Sequence, residues 1–325
     1  MPKAIRIHRT GGPEVLSLDT VEVGDPGPGE ALVEHTAIGI NYIDVYHRSG
    51  LYGLPSLPHG IGMEAAGTVR AVGEGVTEVR PGDRVGYASG PPGAYAELRR
   101  IRADRLIPLP RDVDDATAAA ILLQGMTVEY LIGRTFKVQP GMTVLWHAAA
   151  GGVGLLACQW LRHRGVRVIG TVSSDAKAEL ARANGCAETI IYTREDFVAR
   201  VRELTEGRGV PVVYDSVGKL TFTGSLECLA RRGTFVGFGN ASGMPEPFNP
   251  MLLAQKGSLY MTRPVLFDYI AERDELLASA RAVFEAVRGG ALVPTVRQTW
   301  PLDQAERAHR ALEARTTEGS SLLVP

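Results

Sequence analysis

The 325-residue sequence predicts an α/β protein: a doubly wound, parallel, six-stranded sheet set into a second, β-rich and partly barrel-like domain. Three observations carry this. First, the apolar run Thr143-Val144-Leu145-Trp146 leads into Ala149-Ala150-Gly151-Gly152-Val153-Gly154, and then into a helical pattern carried by Leu155, Leu156, Cys158, Gln159, Trp160 and Leu161. Strand, A-x-G-x-x-G turn and helix, followed by a second strand at 166–172, make a βαβ unit of about 30 residues. Second, β-prone runs at 143–146, 166–172, 189–192, 212–215, 234–238 and 258–262 alternate with helical stretches at 176–183, 196–205 and 222–229, the alternation of a parallel sheet. Third, residues 4–7, 15–18, 31–38, 68–72 and 84–88 are short strands parted by Gly/Pro turns, as in a compact β domain.

Between these two regions, residues 114–123 and 126–136 read as two helices. After Pro264 come a helix at 273–287, a strand near 295–299, a helix at 302–314 and a terminal strand at 321–324, which is expected to return to the first domain. The predicted organisation is therefore 1–124 and 266–325 as one domain, with 125–265 inserted as the nucleotide domain.

The glycine turn has a chemical rationale. Gly151 admits close approach of a pyrophosphate, Gly154 lets the helix pack on the strand, and the helix N-terminus offers free N–H groups and partial positive charge. Ala150, Gly151, Gly152 and Val153 are thus candidate cofactor contacts.

The composition is that of a globular protein, with 45% hydrophobic and 22% charged residues. A net charge of −1 argues against nucleic acid or an anionic membrane as partner. Cys158, Cys186 and Cys228 are far apart and form neither a metal spacing nor a disulfide framework. No apolar run reads as long enough to span a bilayer and the N-terminus lacks a signal-type apolar segment, so a cytoplasmic enzyme is expected. The few lysines against many arginines carry no functional message by themselves.

The chain resembles the zinc-free medium-chain dehydrogenase/reductases, and within them the NADPH:quinone oxidoreductases related to ζ-crystallin. The likeness runs essentially the full length. It rests on Gly11-Gly12-Pro13-Glu14-Val15, Gly39-Ile40-Asn41-Tyr42-Ile43-Asp44, Ser49-Gly50-Leu51-Tyr52, Gly82-Asp83-Arg84-Val85, Gly93-Ala94-Tyr95-Ala96-Glu97, the segment from His147 to Gly154, Tyr214-Asp215-Ser216-Val217-Gly218, Phe238-Gly239-Asn240 and Thr262-Arg263-Pro264. The resemblance implies a GroES-like catalytic domain, a Rossmann domain, a homodimer, and hydride transfer from NADPH to a quinone in an interdomain cleft.

Zinc-dependent members carry a ligand Cys and a Gly-His-Glu motif. Here Asn41 stands in the Cys position and Gly62-Met63-Glu64 replaces Gly-His-Glu, so no metal is expected. His163 and His309 are expected to face the surface. Without a Lewis acid the expected acceptor is already electrophilic: a quinone or an activated enone.

An acidic residue about 20 positions past the glycines favours NADH. This chain has Ser173 and Ser174 there, with Lys177 one turn on as a point charge for a 2′-phosphate. The resemblance adds Tyr192 to Lys177, and Asp175 is expected to serve the helix dipole.

Asn41, Tyr46 and Tyr52 match positions facing the nicotinamide. Asn41 offers amide bonds to the cofactor or the acceptor oxygen, and the tyrosines offer stacking or a hydroxyl donor. Asp44 is expected to orient neighbouring backbone. Thr127, Ser216, Val217, Phe238, Gly239, Asn240, Thr262, Arg263 and Arg315 complete the expected cofactor contacts. The leading expectation is an NADPH-dependent quinone oxidoreductase. An enone or enoyl reductase stands beside it, and a nucleic-acid-binding or structural relative is the alternative from a different class.

Overall fold

The computed structural model describes residues 1–325 and divides the chain into two compact units. The first comprises residues 1–126, 270–285 and 294–325, and the second comprises 127–269 and 286–293. Relative to the boundaries expected from the sequence, the second unit begins two residues later, extends through Tyr269 and takes in a short return segment, Ala286–Val293.

In the first unit a seven-stranded sheet is built mainly from Glu30–Ile40, Glu64–Val72, Arg84–Tyr87 and Leu98–Arg102. The long strand Glu30–Ile40 pairs antiparallel with Glu64–Val72 along one edge. Along the other it pairs with Leu98–Arg102 at its start and with the terminal strand Ser320–Val324 at its end. Val296–Pro301 then pairs parallel with Ser320–Val324 and forms the sheet edge. Alternating inward residues such as Ala31, Val33, Ile38, Val69 and Val85 bury a core with Ile5, Ile7, Tyr87 and Tyr95. The short helix Tyr42–Ser49 follows directly on the long strand and closes on Gly50 at φ 84°.

In the second unit all six strands are parallel. Their order is Glu188–Ile191, Arg167–Val172, Thr143–Trp146, Val210–Asp215, Leu229–Gly237, Tyr260–Thr262, the doubly wound 3-2-1-4-5-6 arrangement. Strand order reverses between Thr143–Trp146 and Val210–Asp215, and ligands bind such sheets at that point, outside the carboxyl ends of the strands. Leu145, Ile169, Val213 and Phe235 are buried in its core, as expected for strands covered on both faces.

The two helices expected at 114–123 and 126–136 are one. Asp115–Tyr130 is a continuous α-helix that runs on as a π-helical turn, Leu131–Thr135. Gly125 does not break it. A Cβ there would lie 2.8 Å from Val283 Cγ1, so the glycine serves close packing. The same fusion corrects the reading that no run is long enough for a bilayer: 115–135 qualifies by length and apolarity, with a mean hydropathy of 1.3. Of that window 72% is buried within the protein, as for a core helix.

Candidate active site

The parallel sheet delivers the glycine turn, Ser173, Ser174, Tyr192, Ser216, Val217, Phe238, Gly239, Asn240, Thr262 and Arg263 to one edge, because each follows or ends a strand of the same direction. The turn between Thr143–Trp146 and the helix Gly152–His163 is tight. Ala148 sits at φ 55°, and Gly151 N–H returns to Ala148 O at 3.0 Å. Gly154 is obligatory, since a Cβ there would stand 2.3 Å from Ala148 O. Gly151 has more room: a Cβ would meet only Ala148 O at 3.3 Å, which leaves its face of the turn open. Gly151 is the N-cap and supplies no side-chain cap, so the first N–H groups of the helix are not taken by a capping side chain.

A buried polar network holds the turn from below. The Ser225 hydroxyl donates to Asp215 Oδ2 at 2.9 Å, so its oxygen accepts from His147 Nε2, also at 2.9 Å. His147 Nδ1 is then the acceptor for the Thr171 hydroxyl at 2.9 Å. Burial lowers the His147 pKa against the opposing charge of Asp215, which keeps the imidazole neutral. Asp215 Oδ1 collects Val217 N–H, Gly218 N–H and the Thr221 hydroxyl, which shapes the Ser216-Val217 loop. That loop is tied to the next strand end by Ala241 N–H to Ser216 O and Ser242 N–H to Val217 O. Gly239 fits there because a Cβ would stand 2.7 Å from Ser216 O.

At the end of Arg167–Val172, Ser174 caps the helix Asp175–Ala183 by accepting the Lys177 N–H at 3.4 Å. Asp175 is not left facing the strand end. Arg194 grips it with two parallel bonds of 2.8 and 2.5 Å. The sequence reading passed over Arg194; the only available signal was a basic residue two positions past Tyr192.

In the first unit, Asn41 is the N-cap of Tyr42–Ser49, and its N–H donates to Asp44 Oδ2 at 2.9 Å. Its amide is committed inside this unit. Nδ2 donates to Glu64 Oε2 at 2.6 Å, and Oδ1 accepts from Gln124 at 3.2 Å. Gln124 in turn accepts from the Ser320 hydroxyl at 3.1 Å, and Glu64 Oε1 accepts the Leu123 N–H at 2.7 Å. Asn41 is 5% exposed, and both ends of its amide are held by protein partners. Burial, with Asp44 nearby, raises the Glu64 pKa to about 8.

A second chain of bonds starts at Asp44. Tyr95 OH donates to Asp44 Oδ2 at 2.9 Å, His309 Nε2 stands 3.1 Å from the same hydroxyl, and Arg48 Nη1 reaches His309 Nδ1 at 3.0 Å. Because Arg48 is a donor only, His309 accepts at Nδ1 and donates at Nε2. Arg48 closes the chain on Glu313 at 2.8 Å. Burial raises Asp44 to about 7 and lowers His309 to about 3. His309 is thus fully buried, not surface-facing: its helix turns that side into the fold, where a neutral imidazole links Tyr95 to Arg48.

Tyr46 is buried and Tyr52 half-buried, with ring centroids 5.0 Å apart, and Tyr42 packs edge-on to Tyr46 at 5.3 Å. Tyr52 is further fixed by its N–H to Tyr46 O at 3.0 Å. Arg315, exposed and at φ 59°, adds positive charge near Tyr42. Thr127 is buried in the long helix at the start of the second unit.

Two family models match: "Alcohol dehydrogenase GroES-like domain" over residues 27–111 and "Zinc-binding dehydrogenase" over 152–277. The quinone oxidoreductase of Pseudomonas aeruginosa is 50% identical over the whole of both chains. The 2-haloacrylate reductase of a Burkholderia species is 45% identical, covering 100% of this chain and 99% of its own. The crystal structure of Escherichia coli quinone oxidoreductase complexed with NADPH superimposes with a TM-score of 0.98 at 48% identity, covering 99% of this chain and 100% of that one.

Proposed function

Because the chain belongs to the quinone oxidoreductase family of medium-chain dehydrogenase/reductases, we propose that it reduces quinones with NADPH. One observation carries the reading: the turn His147–Gly154, the serine-lysine strand end and the two following loops meet on the carboxyl edge of a 3-2-1-4-5-6 sheet. These residues fit a phosphorylated dinucleotide. The N-terminus of Gly152–His163 would receive the pyrophosphate; Ser173, Ser174 and Lys177 would receive the 2′-phosphate. NADPH, when bound, supplies the hydride. The protein's part is to hold, orient and shield.

Tyr46 and Tyr52 are the proposed acceptor contacts, offering ring faces and a hydroxyl to a flat electrophile. Zinc does not fit the residues present. The two positions that would supply Cys and His are an amide, Asn41, and a thioether, Met63, and the neighbouring Glu64 carboxylate already receives Asn41 and Leu123. No step is assigned to a metal. NADPH oxidation measured over a panel of quinones tests the reading: turnover with NADPH and none with simple aldehydes is expected, and inactivity toward every quinone overturns it.

A second reading has its own support. The relative that reduces 2-haloacrylate shares 45% identity with this chain, so activated alkenes belong in the same panel. A ratio of kcat/KM favouring enones over quinones would select it.

The assembly proposed is a homodimer. The edge strand Tyr260–Thr262 pairs on one side only and exposes Tyr260 and Met261, and edge strands of two copies would satisfy each other's backbone groups. Sedimentation at micromolar concentration tests this, a single-chain mass of 34.9 kDa being the contrary result.

A further inference from the structure

We propose that Arg194 is a specificity-determining residue for the 2′-phosphate of NADPH, acting by masking Asp175 and by presenting its own guanidinium; this rests on the NADPH reading above. Asp175 is the first residue of its helix and stands three positions past the strand that ends near the adenosine ribose in this fold. An uncompensated carboxylate there is the arrangement that favours a ribose without phosphate. In this chain the carboxylate is ion-paired. Arg194 meets both of its oxygens in a fork-on-fork pair, Nη1 to Oδ2 at 2.8 Å and Nη2 to Oδ1 at 2.5 Å.

The partner strand end is aligned to make that pair. Tyr192 N–H bonds Val172 O at 3.1 Å, the Thr193 hydroxyl bonds Ser173 O at 3.2 Å, and Arg194 N–H bonds Ile191 O at 3.0 Å. Residues 192 and 193 are thereby laced to 172–173, and the turn from Ile191 to Arg194 brings Arg194 to the corner that also holds Ser174 and Lys177. The local charges decide what the corner attracts. Asp175 is negative, while Lys177 and Arg194 are positive. Arg182 and Glu195, which also act on the pair, offset each other. With Arg194 the corner is cationic; without it, Lys177 and Asp175 cancel.

Asp175 and Arg194 are both well exposed, with side chains 69% and 59% accessible. An ion pair in water stabilises a fold very little, so a purely structural purpose explains the bidentate geometry poorly. A guanidinium has five N–H donors and Asp175 engages two. The remaining three are available to a phosphate oxygen while the carboxylate stays neutralised.

The test is a double-mutant cycle read by calorimetric binding of NADPH and NADH to the wild type, Arg194→Ala, Asp175→Ala and the double variant. Arg194→Ala is expected to weaken NADPH about tenfold, the scale of one charge-assisted hydrogen bond, and to leave NADH nearly unchanged. In the Asp175→Ala background the same substitution is expected to cost NADPH distinctly less, because no carboxylate is left to unmask. An unaltered NADPH:NADH ratio in Arg194→Ala, or an equal loss for both nucleotides, overturns the assignment. A wild type that binds both equally overturns the NADPH reading itself. Unchanged melting temperatures identify the losses as recognition rather than misfolding.

Discussion

The Asn41 amide donates to Glu64 Oε2 across 2.6 Å in a site with almost no solvent, and the same residue's N–H donates to Asp44 Oδ2 at 2.9 Å. One residue therefore organises two buried carboxyl groups, Asp44 through its backbone and Glu64 through its side chain; truncating the side chain leaves Asp44 bonded and strands Glu64 Oε2 and the Gln124 amide. Asn41→Ala is expected to cost about 1–3 kcal/mol for each buried group left unpaired, a fall in melting temperature on the order of 5–10 °C. NADPH affinity should hold. A stable variant with abolished NADPH binding, measured by scanning calorimetry and titration, would return Asn41 to a ligand-contacting role.

Stability should peak in pH near 6–7. Asp44 and Glu64 have folded pKa values of about 7 and 8, above their unfolded values, so their contribution is complete below about pH 4 and is lost as pH rises through 7 and 8. His35, His47 and His309 are held down to about 4, 4 and 3 by burial. Their contribution is complete above an unfolded value of about 6.5 and is lost as pH falls toward 4. Melting temperature against pH reads both limbs. Glu64→Gln should flatten the alkaline limb, and a profile still rising steadily from pH 6 to 8 would contradict the assignment.

Gly154→Ala and Gly151→Ala should fail differently. The first places a methyl 2.3 Å from a backbone oxygen and forces the turn open, lowering stability and cofactor binding together. The second meets the same oxygen at 3.3 Å, a tight contact that a small shift relieves, and has no positive φ, so it should lose much less melting temperature than the first while NADPH affinity drops. Equal melting temperatures for the two variants would show that the turn is not close-packed.

Tyr52→Phe and Tyr52→Ala separate ring from hydroxyl. The Tyr46–Tyr52 contact at 5.0 Å is kept by Phe and lost by Ala. If stacking is its role, Phe is silent and Ala raises KM for quinones. Loss of a donated hydrogen bond in the transition state would slow Phe by about 10²-fold at most. Unchanged kinetics in both Tyr52→Ala and Tyr46→Ala would remove the pair from the acceptor site.

The parts legible in the sequence are those written in local periods and turns. Thr143–Trp146, the glycine turn and the next helix stand where pattern and spacing place them, because a strand buried on both faces and a glycine that cannot bear a Cβ leave local marks. What was not legible depends on residues far apart. His309 meets Arg48 across 261 positions, and nothing within its own helix tells which partner waits on the buried side. Arg194 and Asp175, 19 positions apart, become neighbours only because two parallel strands lie side by side. A lone glycine such as Gly125 reads as punctuation in a helix until it is seen that a Cβ there would collide with Val283.

The place of Ser320–Val324 has a consequence for biosynthesis. This strand lies inside the first unit's sheet, bonded to Glu30–Ile40 on one side and Val296–Pro301 on the other. Glu30–Ile40 leaves the ribosome long before Ser320–Val324, the strand it must wait for before its sheet is complete. The sheet of the second unit needs only the continuous stretch from Thr143 to Thr262. Folding during synthesis therefore has the second unit's sheet complete before the first unit's, and a chain cut before Ser320 would strand its older strands rather than its newer ones.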